Sequence, residues 1–237
     1  MEHTQKPHTI WILIGGCLLA FLIAAVNAGL FFEVGNSVAQ MSGEVTRLSW
    51  AMLEENRALL GQNVTLAVLA FLAGATLAGY TLHHPTLDRR LPYGRCLMFI
   101  GACLWVAHAL LPQWPRGALA CGGFAAGFQN ALATHYRGII LRTTHITGLL
   151  TDIGSHLGMM LRGHRIARWK IGVPAAVILF FFAGGLVGAW LFQLGHAYLL
   201  WLGGVYVVSG ASWFIIQRVV LKIDHISRPA AAWRSDE

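Results

Sequence analysis

Apolar residues in this chain fall into long runs broken by short polar patches, and not into the alternation of a half-buried strand. A helix that crosses a membrane needs ~20 mostly apolar residues. Runs of that kind lie at about 10–32, 63–83, 95–112, 117–136, 171–193 and 197–217. The last two come from one uncharged stretch, 171–217, which is too long for a single crossing and divides at Gln193-Leu194-Gly195-His196. The pattern predicts an all-α integral membrane protein with about six transmembrane helices. Val26-Asn27-Ala28 has small residues where a signal peptidase cuts. The length of the surrounding apolar run favours an uncleaved span instead.

The polar positions repeat. Val26-Asn27-Ala28 precedes Ser42-Gly43-Glu44-Val45-Thr46, and Gln129-Asn130-Ala131 precedes Thr147-Gly148-Leu149-Leu150-Thr151. The offsets, 130 − 27 = 103 and 148 − 43 = 105, are nearly in step. Each copy then enters a small-residue helix, Phe71-Leu72-Ala73-Gly74-Ala75 or Phe181-Phe182-Ala183-Gly184-Gly185. This divides one membrane domain into three-helix repeats, 1–115 and 116–237. Three spans per repeat is odd, so the second copy is inverted relative to the first, an arrangement in which polar sites form between repeats.

After the first span of each repeat the pattern predicts a short amphipathic or re-entrant helix, starting near Ser42 and near Thr147. Ser and Thr are good N-caps, and a helix N-terminus presents N–H groups and partial positive charge. The alternative, in which 40–57 and 143–161 are full spans, weakens the charge bias described next and puts Glu44, Arg47 and Asp152 in lipid.

Composition agrees with a membrane protein: 56% of residues are hydrophobic and 11% charged, where a soluble domain carries about 25% charged. The net charge of +7 follows from Lys and Arg collecting in cytoplasmic loops, with no nucleic-acid partner implied. With both termini cytoplasmic, only Arg47, Arg57 and Arg116 of the 17 basic residues fall outside. Cys17, Cys96, Cys103 and Cys121 lie in apolar segments without metal spacing. Trp11, Trp114, Trp169, Trp190 and Trp201 fall near span ends, where indoles anchor at interfaces.

The stretches Gly127-Phe128-Gln129-Asn130-Ala131-Leu132-Ala133-Thr134, Arg142-Thr143-Thr144-His145-Ile146-Thr147-Gly148 and Thr151-Asp152-Ile153-Gly154 resemble the YoaK-like (UPF0700) family of bacterial inner-membrane proteins. That resemblance implies about six spans and a place in the bacterial inner membrane, and it implies no activity. The chain departs from the family pattern in the first copy. Where the family usually has His-Met-Thr-Gly-Asn-Val-Thr, this chain has Gln40-Met41-Ser42-Gly43-Glu44-Val45-Thr46, so a carboxylate replaces an amide.

The resulting functional expectation is a small-solute or ion transporter or channel, with a polar site lined by Asn27, Ser42, Thr46, Asn130, Thr147, Thr151 and Asp152. Glu44, Gln129, Arg142 and His145 are secondary candidates. The bland readings stand beside these: Asn27 and Asn130 as interhelical hydrogen bonds, Gln129 as packing glue, Asp152 as a salt-bridge partner, Glu44 as an i,i+3 partner of Arg47. The competing function is a non-transporting scaffold or regulatory partner subunit. An enzyme is not expected, because no Gly-x-Ser-x-Gly elbow, phosphate loop or His-Glu-x-x-His occurs. No metal or cofactor is expected: His145 and His156 are eleven apart, against four for a helical zinc pair, and His108 and His135 carry no haem motif. The expected partners are the lipid bilayer, the solute and a second copy of the chain as a homodimer.

Overall fold

The computed structural model describes residues 8–53, 58–82, 92–132, 143–195 and 197–220. They form α1 (His8–Val34), α2 (Met41–Ala51), α3 (Ala58–Leu82), α4 (Tyr93–Leu110), α5 (Pro115–Leu132), α6 (Ile146–Leu161), α7 (Trp169–Gln193) and α8 (Tyr198–Ile215). A π-helical turn, Ile216–Val220, continues α8. No strand occurs among the described residues.

Five stretches are long and apolar enough to cross a membrane: Leu13–Val34, Ala58–Leu82, Tyr93–Leu110, Trp169–Gln193 and Tyr198–Val219. They match five of the six expected runs. The sixth, α5, forms as a helix, but Pro115, Arg116, Gln129 and Asn130 dilute its apolarity. Most of α5 is buried, including Gly122, Gly123, Ala125, Ala126 and Gly127. A helix covered by its neighbours is selected for close packing more than for solubility in lipid. The expected extension to 136 lies outside the described residues.

α2 has 11 residues and α6 has 16. At 1.5 Å per residue they measure roughly 17 and 24 Å, short of the ~30 Å hydrocarbon core. Neither is among the five stretches that are long and apolar enough to cross a membrane. Both helices start one residue before the expected point, so Ser42 and Thr147 stand inside the first turn. The N-cap positions belong to Gln40 and His145, and neither side chain makes a capping hydrogen bond.

Backbone-to-backbone approach governs the packing. α1 lies along α7, α3 along α5 and α4 along α8. A Cβ on Gly184 would overlap the carbonyl of Phe21, and one on Gly188 that of Ala25, so α1 and α7 run parallel. A Cβ on Gly123 would press on the carbonyl of Ala67 and one on Gly127 would overlap that of Phe71, which makes α3 and α5 parallel too. α4 and α8 run antiparallel: a Cβ on Gly94 would stand 2.6 Å from the carbonyl of Gly210, and one on Gly101 2.6 Å from that of Gly203. Between these pairs, α1 and α5 carry much of the core, with Ile23, Val26 and Leu30 against Leu119, Phe128 and Leu132 in one apolar cluster.

Candidate functional site: two polar turns that meet

Gly35 ends α1 with φ +71°, a conformation that glycine adopts at no steric cost, and its N–H reaches the carbonyl of Phe31 at 2.9 Å. The chain then doubles back. The Oδ1 of Asn27 accepts hydrogen bonds from Ser37 Oγ at 2.7 Å and from the N–H groups of Val38 and Ala39, both at 2.9 Å. Asn27 lies seven residues before the helix end at Val34, so residues 37–39 return roughly 10 Å along α1. α2 therefore begins beside α1 and not beyond it. One side chain in an apolar helix holds this return by pairing two backbone donors of irregular chain.

Glu44, in the first turn of α2, is buried with 2% exposure. Its carboxylate accepts from Asn36 Nδ2 at 3.0 Å, from the Ser37 N–H at 2.8 Å and from an Arg47 guanidinium N–H at 2.9 Å. Arg47 also donates to the carbonyl of Gly35 at 2.8 Å. A buried charge demands this degree of pairing. The carboxylate therefore ties the turn together and compensates the N-terminal dipole of α2.

The second turn is built on Asn130. Its Oδ1 accepts from Thr144 Oγ1 at 2.6 Å and its Nδ2 donates to the carbonyl of Ala126 at 3.1 Å. Thr144 then touches the first turn: Gln40 Nε2 donates to the Thr144 carbonyl at 3.4 Å. The starts of α2 and α6 meet here, joined across 104 residues of chain. Two buried oxygens beside the junction, Asn36 Oδ1 and Thr143 Oγ1, have no hydrogen-bond partner among the described residues.

From this junction the remaining candidates line exposed helix faces. Ser42 and Thr46 are exposed on α2, and Thr147, Thr151 and Asp152 on α6. Thr46 Oγ1 bonds the Ser42 carbonyl at 3.0 Å, and Thr151 Oγ1 bonds the Thr147 carbonyl at 2.9 Å. His145 is exposed at the N-cap of α6. Arg142 lies outside the described residues. Gln129 faces elsewhere: its amide donates to the Leu19 carbonyl at 2.9 Å and its oxygen accepts from the Tyr206 hydroxyl, tying α5 to α1 and α8. Among the described residues no three His, Cys, Asp or Glu side chains gather as metal ligands would.

Reading the sequence missed Asn36, Ser37 and Thr144 as members of this cluster. Thr144 stood inside the quoted Thr-Thr-His stretch, but nothing in linear spacing linked it to Gln40. The two asparagines also differ in load. Asn27→Ala orphans a hydroxyl and two backbone N–H groups, for an expected loss of about 2–4 kcal/mol, whereas Asn130→Ala orphans one hydroxyl and costs about 1 kcal/mol. Thermal unfolding of the two variants side by side in detergent checks the order.

The description "Protein of unknown function (DUF1275)" matches residues 15–212 of the chain. The UPF0700 transmembrane protein RA0705 of Rhizobium meliloti is 29% identical over 184 residues, covering 78% of this chain and 77% of that protein. No solved structure matches. With all eight helices of the fold inside or overlapping the matched segment, this multi-pass membrane chain belongs to the DUF1275 (UPF0700) family.

Proposed function

We propose that the protein is a small-solute or ion transporter or channel of the bacterial inner membrane, with its site where the two polar turns meet. The observation that carries this reading is the contact of Gln40 with the Thr144 carbonyl. It sets the N-terminal ends of α2 and α6, neither capped by a side chain, against each other between apolar helices. The N-terminus of α6, with no acidic residue in its first turn, offers partial positive charge and N–H groups to a polar solute, while that of α2 is balanced by Glu44. The unpartnered Asn36 Oδ1 and Thr143 Oγ1 supply acceptors in the same region. Ser42 and Thr46 from α2, with Thr147, Thr151 and Asp152 from α6, line the polar route away from it. Irregular backbone among apolar helices is tolerated where it faces protein or a water-filled cavity, which fits a permeation path.

The architecture we infer is two inverted three-helix repeats, 1–115 and 116–237, with α5 as a sixth crossing and both termini cytoplasmic. The packing supports it. Exchanging α1 with α5 and α3 with α7 turns the α1–α7 pair into the α3–α5 pair, and α4 with α8 maps onto itself. Phe21 lies under Gly184 as Phe124 lies under Gly74, and 124 − 21 = 103 is the offset of the asparagines. The distribution of basic residues supports the orientation.

The test is a thermal-shift screen of purified protein against metabolites and ions, with Thr151→Val and Asp152→Asn beside it. Both side chains are exposed, so both variants are expected to keep wild-type stability. A ligand that binds the folded state raises stability with the logarithm of its concentration over Kd. The expected result is a saturable shift in wild type that both variants reduce at least tenfold in apparent affinity, followed by saturable flux in proteoliposomes. Shifts unchanged in both variants, or no flux of any ligand that binds, would overturn the transport reading in favour of a scaffold or partner subunit.

A further inference from the structure

α6 is held by little protein. None of its residues is fully buried, and its main packing partner is α7. Among the described residues Leu149 is its one contribution to a packed cluster, against Cys17, Ala20 and Val177. Its far end carries exposed apolar side chains, Leu157, Met159, Met160 and Leu161, the last 90% exposed. A Schellman turn stops the helix there: Gly163, at φ +87°, bonds the Met160 carbonyl at 2.9 Å, and the His164 N–H bonds that of Met159 at 3.1 Å.

The turn that follows holds Arg162, Arg165, Arg168 and Lys170, all exposed. Among the described residues none of the four forms an ion pair. Glu44 is enclosed by its own partners, and Asp152 stands ten residues back, roughly 15 Å along the helix from Arg162. Trp169, half-exposed, sits among them with Lys170 Nζ 6.0 Å from its ring centre. α7 starts at Trp169 and is long and apolar enough to cross the membrane, so the turn lies at a membrane surface.

We propose that the α6–α7 turn is a docking surface for the headgroup of an anionic phospholipid, and that this lipid holds the far end of α6 in place. Charge complementarity selects the occupant. Four cations, none in an ion pair among the described residues, lie within nine residues, flanked by apolar side chains that match acyl chains and by an interfacial indole. The proposal is independent of any transport activity.

The test uses the full chain in phosphatidylcholine nanodiscs that carry a trace of photoactivatable phosphatidylglycerol or photoactivatable phosphatidylcholine. Each cation near an anionic surface multiplies association by about fivefold. The expected result is that phosphatidylglycerol labels peptides covering 157–171 many-fold more than phosphatidylcholine does, and that added salt erodes the difference. Joint replacement R162Q, R165Q, R168Q and K170Q should bring labelling down to the phosphatidylcholine level, while R162K, R165K and R168K together should retain it. Equal labelling of wild type by the two lipids, or full labelling of the glutamine variant, would overturn the proposal. So would loss of labelling to an excess of soluble glycerol phosphate, which would make the turn a site for a free phosphate ester. The wild-type comparison and its salt dependence decide the matter even if the glutamine variant does not fold.

Discussion

Glu44→Ala is expected to cost about 3–5 kcal/mol, among the largest losses available from one side chain in this protein. The carboxylate is the acceptor for Asn36 Nδ2, the Ser37 N–H and Arg47. Removing it orphans two buried donors and leaves Arg47 with only the Gly35 carbonyl. Glu44→Gln should lose less, because an amide oxygen still serves one donor while its NH2 faces others. Thermal unfolding in detergent gives the order wild type, Gln, Ala. An Ala variant within 1 kcal/mol of wild type would mean that the carboxylate is not structural and returns it to the list of ligand contacts. Glu44 is matched by an arginine three residues on.

Gly127→Val is expected to separate α3 from α5. Its Cβ would overlap the carbonyl of Phe71, and because that atom is backbone, no rotamer relieves the clash. Overpacking costs typically 1–3 kcal/mol where side chains can yield, and about 3 kcal/mol or more is expected where helices must part. The separation also loosens Gly74 against Phe124 and Gly123 against Ala67. The readout is the yield of monodisperse protein after extraction, together with its thermal midpoint. Gly79→Ala, in α3 with nothing within 4 Å of the added carbon, is the control, and should be neutral or gain up to about 1 kcal/mol from helix propensity. A normal midpoint for Gly127→Val would show that α3 and α5 do not pack as described.

Much of the candidate site was legible from local pattern. Asn27 and Asn130 stood out because an amide in an apolar helix is costly without a partner. The starts of α2 and α6 were placed to within a residue because segments too apolar for loops follow Ser42 and Thr147, residues common at helix starts. Capping was misassigned: Ser42 and Thr147 suit an N-cap by composition, yet the tight return to Asn27 and the bond to Asn130 put Gln40 and His145 there instead. Gln129 was correctly separated from its neighbour, since adjacent helical residues face about 100° apart.

By itself the sequence determined that the chain is all-helical, placed five apolar runs that can cross a membrane, and marked where polar groups interrupt them. These follow from nearest-neighbour chemistry: apolar run length, small-residue spacing and the cost of a lone amide. The tertiary structure decided which helix lies along which, because a glycine marks close approach but not the carbonyl it approaches. It also decided that Glu44 is enclosed while Asp152 is exposed. Only the path of the backbone around each carboxylate determines which one its neighbours can reach.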